Sequence, residues 1–369
     1  MNRWKKSLIV AAVFLGVGIT GSIISGIYMV PKVVNEVYRV QREVANAKVA
    51  EKEVFITAEE VLSINIESLR DQGFDVEVKK SKDGNTRVMI NEYMEDSIKV
   101  ESTYDESKKE LKIVGERSIY NFFESDSFRG FFEKGYDQMI SAIVEERNDN
   151  SQIIIEVPNG VDINVNSSYS NNLIIKDKEV LKDNLIFNTH YGYVNLPNYN
   201  NLKNISIKTG AYIEMDLREF LNAENVNISA GEIEIASKGL EKEYIEAAKL
   251  PTSVTLNAND IDIISYMPIG KDVKLKGSNI NYETNFKDYG MNVNLEGRKS
   301  NNSYNVSFDG EAFDKQNDFI NKVGSYSGYI GKGENKDFNL YVSEFYNCEF
   351  EHVYPNELEL DVKELNIND

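Results

Sequence analysis

The clearest pattern in this chain is a strict alternation of apolar and polar residues that recurs in its second half. The phrase at 204–210 is echoed at 225–231, and each copy is followed by a second alternating run. Such alternation places one face of a strand in a core and the other face in water. Counted from Ile205, and with further copies starting at Val254 and Val273, the onsets lie 21, 28 and 19 residues apart. A period of about 20 residues is typical of a coil of β units.

Each unit is predicted to be strand, corner, strand, which is compatible either with a hairpin or with one rung of a solenoid. Two-residue hairpins favour turns that need a positive φ at the first central residue. The corners at 209–210, 230–231 and 258–259 have the permissive residue second, which suits a type II corner, whereas 277–278 would suit a hairpin. The balance favours rungs stacked in parallel. The expected internal columns are Ile205, Val226, Val254 and Val273, and Ile213, Ile233, Ile261 and Ile280.

Runs of period two also precede the repeats and predict an opening β module over residues 54–118 with antiparallel strands. Residues 119–147 carry apolar residues at helical spacing and predict a helical insertion that covers one end of the coil. The repeats occupy 148–310, and an aromatic-rich β segment follows at 311–369, in which 324–333 is expected to be a loop. The strands expected in the opening module are Val61–Glu67, Phe74–Lys80, Thr86–Asn91, Ser97–Thr103 and Glu110–Gly115.

An apolar stretch without charge, residues 7–30, lies ahead of all these segments. As a helix it would span about 36 Å, which is enough to cross a bilayer, so we expect an uncleaved membrane anchor. Residues 31–53 have Val and Ala at heptad spacing and predict a juxtamembrane helical stalk. The basic tail 1–6 favours a cytoplasmic N-terminus and an extracytoplasmic bulk, although basic residues after the span make the count nearly equal.

Composition removes several classes of function. The formal net charge of −19 argues against nucleic acid as a partner. The single cysteine, Cys348, cannot form an intramolecular disulfide and is interpreted as a small packed side chain. His190 and His352 are the only histidines, and no catalytic motif surrounds them. No catalytic, cofactor-binding or metal-binding residue is predicted, while Ca²⁺ binding by carboxylates such as Asp260 and Asp262 stays open.

Four features together resemble a known bacterial family. They are the membrane anchor with its basic flank, the opening strands at 62–66 and 74–78, the VPNG strand exit at 157–160, and the phrase ISAGEIEI at 228–235. Over about residues 60–310 they resemble the bacterial "putative adhesin" family of unknown function, also described as toastrack-like β-strand-repeat proteins. The resemblance implies a single-stranded β-helix-like domain, often attached to a membrane segment, with relatives associated with cell-envelope stress signalling. It implies no catalytic residues.

The sequence therefore predicts a mainly β protein, a β-helix-like solenoid with one transmembrane helix and a helical insertion. The favoured function is a non-catalytic, adhesin-like binding or scaffolding module that contacts the lipid bilayer through 7–30 and an envelope protein or wall polymer through its body. Regulation of envelope stress signalling, or of a membrane partner, is the alternative, and a polysaccharide-active enzyme comes third. The candidate binding patch, chosen because exposed aromatics are enriched at interfaces, is Tyr326, Tyr329, Tyr341 and Tyr354.

Overall fold

The computed structural model describes residues 51–69, 74–91, 98–117, 152–237, 249–297, 305–309, 325–333 and 337–352. All of them belong to one compact unit. The predicted tail, the apolar segment 7–30, residues 31–50 of the stalk and the helical insertion lie outside the described residues. No helix in the described ranges combines the length and the apolar character needed to cross a bilayer.

The described residues form strands in three sheets, together with two short 3-10 turns at Lys178–Val180 and Leu217–Glu219. In chain order the strands are β1 (Glu51–Thr57), β2 (Ser63–Leu69), β3 (Asp75–Lys80), β4 (Thr86–Asn91), β5 (Ile98–Asp105), β6 (Glu110–Arg117), β7 (Ile153–Val157), β8 (Val161–Ser167), β9 (Asn172–Ile175), β10 (Leu181–Asn188), β11 (Val194–Asn195), β12 (Asn204–Lys208), β13 (Tyr212–Asp216), β14 (Asn225–Ser229), β15 (Glu232–Ala236), β16 (Ser253–Asn257), β17 (Asp260–Ile264), β18 (Asp272–Lys276), β19 (Asn279–Thr284), β20 (Met291–Gly297), β21 (Asn305–Asp309), β22 (Ser325–Ile330), β23 (Asn339–Phe345) and β24 (Asn347–His352).

The three sheets are named here by their position along the chain. The long sheet has the order β22-β20-β23-β18-β16-β14-β12-β10-β8-β2-β6-β5. The amino-terminal sheet has the order β1-β4-β7-β3-β9-β11, and the carboxyl-terminal sheet has the order β13-β15-β17-β19-β24-β21. A typical rung contributes its first strand to the long sheet and its second strand to one of the other two sheets.

Consecutive rungs stack in parallel and in register, so the predicted columns are confirmed. Ile205 lies opposite Val226, and the column continues through Val254 and Val273 to Leu340. The second column runs from Ile213 through Ile233, Ile261 and Ile280, and these side chains are all at most 2% exposed. Ile228 pairs with Ile207 and Leu256 on neighbouring rungs, which excludes the hairpin alternative for this unit.

The corners differ from the predicted type II turns. Neither Gly210 nor Gly231 has a φ in the left-handed region. A Cβ at Gly210 would lie 2.8 Å from the carbonyl oxygen of His190, and one at Gly231 would lie 2.6 Å from that of Gly210. The corners therefore need glycine because each one stacks closely on the backbone of the rung before it. The type II prediction was wrong because it considered only the φ of an isolated turn.

Both ends of the stack contain a rung that is out of sequence order. At the first end, the β2–β3 rung lies between the β8–β9 rung and the later β6–β7 rung, in parallel with both. At the other end, the last rung in sequence, β23–β24, lies between β18–β19 and β20–β21. The strands β5, β4 and β1, and β22 at the opposite end, then add in antiparallel orientation.

Three expectations from the sequence are corrected by these pairings. The opening strands are not a purely antiparallel module, because β2 and β3 pair in parallel within the same sheets as the repeats. The expected loop at 324–333 contains β22, since Tyr326 and Ile330 pair opposite Leu295 and Met291. The last residues of the predicted helical stalk, 51–53, belong to β1, whose backbone pairs with β4.

Rows of amide side chains run along the outside of the stack. On the long sheet, Asn184 donates to Asp162 at 2.9 Å, Asn204 donates to Asn184 at 2.9 Å, and Asn225 donates to Asn204 at 2.8 Å. A second row starts at Asp272, which accepts from Asn339 at 2.7 Å. In each row the last acceptor is an aspartate, Asp162 or Asp272, because a carboxylate only accepts hydrogen bonds whereas an asparagine side chain both donates and accepts. These ladders reinforce the register that the internal columns set.

We predict that Val342→Asp, in β23, destabilises a segment that precedes it in sequence. Val342 is 1% exposed and lies between Leu275 and Leu295, so a buried carboxylate there should cost about 3 kcal/mol or more of unfolding free energy. Native-state hydrogen exchange should show loss of protection in β20 as well as in β23. Ser343→Asp places the same group on the outer face and is the control. Loss of protection confined to residues after 338 would contradict the pairing.

Candidate binding surface

The outer face of the carboxyl-terminal sheet, here called the acidic face, carries charge of one sign. The strands alternate, so that Ile213 and Met215 point into the core while Tyr212, Glu214 and Asp216 point outwards. Among the outward side chains that the structure describes in this sheet, nine are carboxylates and none is Lys or Arg. The nine are Glu214, Asp216, Glu232, Glu234, Asp260, Asp262, Glu283, Glu349 and Glu351.

The pairing register places these carboxylates opposite one another. Glu214 lies opposite Glu234, and Glu234 lies opposite Asp262 on the next strand. Glu232 likewise faces Asp260. Neighbouring strands are about 4.8 Å apart, and like charges directly opposite each other destabilise a sheet. The acidic face is therefore an electrostatic cost that the internal columns offset.

The amino-terminal sheet gives a contrast, because its carboxylates are matched by cations. Arg87 pairs with Glu53 at 3.0 Å and with Glu156 at 3.4 Å, and it also pairs with Asp83. Lys79 lies 3.6 Å from Glu51. Beside the acidic face, Arg218 of the 3-10 turn that follows β13 donates from its guanidinium to Asp216 at 2.8 and 2.5 Å. The two sheets are therefore built from the same kind of rung but differ in the charge balance of their outer faces.

A groove of about 420 Å³ lies on the acidic face over β17, β19 and β24. Its polar lining includes Asp260, Asp262, Asn281 and Glu349. An amide row crosses it, since Asn279 donates to Asp260 at 2.5 Å and Asn347 donates to Asn279 at 2.9 Å. The groove combines carboxylates with hydrogen-bonding amides, which suits a cationic, hydrogen-bonding ligand.

Three exposed tyrosines lie on two consecutive rungs, Tyr191 and Tyr193 just before β11 of the amino-terminal sheet and Tyr212 in β13, the first strand of the carboxyl-terminal sheet. Tyr191, Tyr193 and Tyr212 are 51%, 46% and 43% exposed. Tyr193 and Tyr212 each immediately precede the first buried residue of their strands, Val194 and Ile213, so they occupy equivalent outward positions on consecutive rungs. The preceding rung has Asn172 at this position, and its side chain accepts from the Tyr193 amide at 3.1 Å. Aromatic rings thus replace the hydrogen-bonded amide at two positions of the row.

Carboxylates surround Tyr212. Its hydroxyl donates to Glu234 at 2.5 Å, and Glu214 and Glu232 lie nearby. Partial burial of the phenol raises the pKa of Tyr212, and the hydrogen bond to Glu234 and the charges of the three glutamates raise it further. The ring is therefore held in its neutral form beside negative charge, with much of its surface accessible.

The aromatic patch expected from the sequence is divided between two faces. Tyr326 lies opposite Leu295 and packs against the core. Tyr329 lies opposite Asn292, and its hydroxyl donates to the Gly333 carbonyl. Tyr341 is 44% exposed on the outer face of the long sheet, opposite Lys274, and Tyr354 lies outside the described residues. The binding role of these tyrosines stays a prediction.

The other residues considered from the sequence are dispersed. His190 is exposed beside Tyr191, whereas His352 is buried in β24. Cys348 is 1% exposed in the column between Ile280 and Val306, and burial raises the pKa of its thiol. Within the described ranges, no group of three or more His, Cys, Asp or Glu side chains is arranged to hold a metal ion.

The matches to known proteins come from solved structures. No family model and no curated relative matches the sequence. A "putative cell adhesion protein" from Clostridium sporogenes matches 83% of this chain and 99% of its own, at 8% identity and a TM-score of 0.22. "Putative adhesins" from Bacteroides fragilis and Parabacteroides merdae each match 84% of this chain and 98% of their own, at 9% and 10% identity and TM-scores of 0.26 and 0.25.

The Bacteroides fragilis and Parabacteroides merdae proteins carry the name of the family that the sequence resembles. Their identities and TM-scores are too low to inform the geometry or the activity of this chain. The acidic face and the three tyrosines were not singled out from the sequence. The available signal was the run of carboxylates at outward positions, and tyrosine where the neighbouring rungs have Asn172 and Glu232.

Glu219 is a titratable group on the edge of this region. It ends the 3-10 turn Leu217–Glu219, and its Oε2 is buried without a hydrogen bond to any residue that the structure describes. Burial raises the pKa of Glu219 to about 8. A hydrogen bond from the Asp216 backbone and the charge of Arg218 act in the opposite direction, while the carboxylate charge of Asp216 adds to the rise. The folded state therefore retains a proton on Glu219 that the unfolded chain releases near the ordinary glutamate pKa of 4.5.

We predict that Glu219→Gln changes the pH dependence of stability. The raised pKa means that wild-type stability is lost as pH rises from about 4.5 through about 8. The amide removes this loss, so the variant should gain on the order of 1–3 kcal/mol relative to wild type between pH 5 and pH 8.5, measured by denaturant unfolding. Glu179→Gln, at an exposed position in the other 3-10 turn, is the control. Parallel curves for Glu219→Gln and wild type would refute the assignment.

Proposed function

We propose that this protein is a non-catalytic, adhesin-like binding module whose acidic face holds a cationic partner, either an envelope protein or a wall polymer. The observation that carries the proposal is the outer face of the carboxyl-terminal sheet, with nine described carboxylates and no Lys or Arg among its outward side chains. A surface of one sign attracts ligands of the opposite sign and accelerates their association.

Energetics support binding over a purely solubilising role. Solubility needs net charge, but it does not need carboxylates directly opposite one another, as at Glu234 and Asp262. Carboxylates on the amino-terminal sheet are compensated by Arg87 and Lys79. At Glu234, Asp262 and Glu349 of the acidic face, a cationic partner would supply compensation of the kind that Arg87 and Lys79 supply on the amino-terminal sheet.

We further propose that residues 7–30 anchor the chain in the bacterial membrane, with the N-terminus cytoplasmic and the binding module outside. The basis is the sequence alone: an apolar segment of membrane-spanning length that follows a short basic tail. In this arrangement the acidic face would be available to partners in the envelope.

Location can be tested with one introduced cysteine. Ser168→Cys lies at an exposed bend after β8, and Cys348 is buried, so a membrane-impermeant maleimide should react at position 168 alone. We expect labelling in intact cells, followed by the same extent of labelling after lysis. Labelling only after lysis would place the module inside the cell and overturn a surface role. The unmodified chain, with Cys348 only, is the control for background reaction.

Binding can be tested with a lysine homopeptide and the full chain in nonionic detergent. We predict that Glu234→Gln, Asp262→Asn and Glu349→Gln combined weaken the affinity about tenfold at low salt, since exposed ion pairs contribute roughly 0.2–1 kcal/mol each. Raising NaCl from about 50 to about 300 mM should weaken wild-type binding and reduce the difference between the proteins.

The matched control also removes three carboxylates, but at positions where each one pairs with a cation of this chain. It combines Glu53→Gln, Glu67→Gln and Asp183→Asn, whose carboxylates pair with Arg87, Lys112 and Lys203. This variant has the same net charge as the test variant. Equal loss of affinity in the two variants would show that net charge alone drives binding, and this would contradict the acidic face as the binding surface.

A further inference from the structure

We propose that Tyr193 and Tyr212, with Tyr191 beside them, form an anchor for arginine side chains of a polypeptide bound on the acidic face. The inference rests on the proposed function and names the chemistry of the partner. It starts from three exposed tyrosines on two consecutive rungs. Tyr191 and Tyr193 lie just before β11, the last strand of the amino-terminal sheet, and Tyr212 lies in β13, the first strand of the carboxyl-terminal sheet, beside the carboxylates.

The two rungs that carry the tyrosines are fastened to each other at their corners. The amide of Gly210 donates to the His190 carbonyl at 2.7 Å, and the Thr209 hydroxyl donates to the Gly192 carbonyl at 3.1 Å. The ring of Tyr191 lies over the corner, since a Cβ at Gly210 would be 3.3 Å from its Cε1. The backbone that presents the rings is therefore fixed before any ligand binds, which reduces the entropy cost of binding.

Glycine is required between the first two rings. Gly192 separates Tyr191 from Tyr193 and has a φ of 148°. A Cβ at this position would lie 1.9 Å from the carbonyl oxygen of Asn171, so a larger residue would displace the corner. The corner thus holds two exposed tyrosines on either side of a residue that cannot be enlarged.

The chemistry beside Tyr212 matches arginine better than lysine or a neutral sugar. A guanidinium is planar, stacks on aromatic rings and forms paired hydrogen bonds with a carboxylate. Tyr212 and Glu234 present an aromatic ring and a carboxylate in direct contact, with Glu214 and Glu232 next to them. A neutral sugar could stack on the rings but would gain nothing from the three charges. A lysine would gain from the charges but lacks the planar fork.

The experiment compares arginine and lysine homopeptides of equal length on the full chain in nonionic detergent. We expect wild type to bind the arginine peptide more tightly. Tyr193→Leu combined with Tyr212→Leu should weaken arginine binding about three- to tenfold and lysine binding less, because Leu keeps apolar bulk but removes the π face. Tyr193→Phe combined with Tyr212→Phe should retain arginine binding. Ile186→Ala, at an exposed apolar side chain on the outer face of the long sheet, is the control and should change neither affinity.

The outcomes separate this inference from the proposed function. If the leucine variants bind both peptides as wild type does, while the acidic-face variant loses affinity, the anchor is overturned and the proposed function stands. If wild type binds neither peptide, both fail. If the leucine variants lose binding to a neutral polysaccharide such as soluble β-glucan but keep arginine binding, the tyrosines are a sugar platform and the arginine assignment is wrong. Thermal unfolding of each variant verifies that the fold is retained.

Discussion

Every rung of this solenoid depends on the rungs above and below it. A single rung buries too few side chains to offset the conformational entropy of ordering its own backbone. Parallel stacking in register solves this, because each inward aliphatic residue contacts an equivalent residue on both sides, as Val226 does between Ile205 and Val254. The same constraint explains the close-packed corners. Glycine at 210 and 231 lets the backbone of one rung approach the next.

The ends of the stack show how the fold manages its exposed edges. At each end, a rung from the outer part of the chain is held between two rungs that lie closer to the middle of the sequence. An antiparallel strand then continues the stack, β5 on one side and β22 on the other. Open strand edges recruit other chains. The β2–β3 and β23–β24 rungs each contact two other rungs, so detaching either of them breaks two interfaces instead of one.

Because the interior columns set the register, the outward positions can vary in chemistry without changing the fold. On the long sheet they form amide ladders such as Asn184, Asn204 and Asn225. On the amino-terminal sheet they form ion pairs around Arg87. On the carboxyl-terminal sheet they form the acidic face, bordered by tyrosines. Repetition supplies the scaffold in all three cases, and the outward side chains give each sheet its own surface.

The candidate site was less predictable than the fold. The alternation that revealed the rungs also marks which carboxylates point outwards, but charge compensation depends on which strands become neighbours. Arg87 is close to Glu53 and Glu156 only because β1, β4 and β7 pair side by side. The described tyrosines of the expected aromatic patch are divided between two faces for a related reason. Tyr326 lies in an antiparallel strand that the sequence suggested was a loop, and there it faces the core.

The amino-acid sequence by itself determined the strand pairs, their spacing of about 20 residues and the two interior columns. These follow from local alternation and from a repeat that only in-register stacking can bury. Tertiary structure alone decided the insertion of β23–β24 between earlier rungs and the addition of β22 at the sheet edge. Those features depend on which distant strand completes a sheet edge. Which strand pairs there is decided by the free energy of covering the sheet edge. It leaves no periodic pattern in the sequence of the strand that pairs.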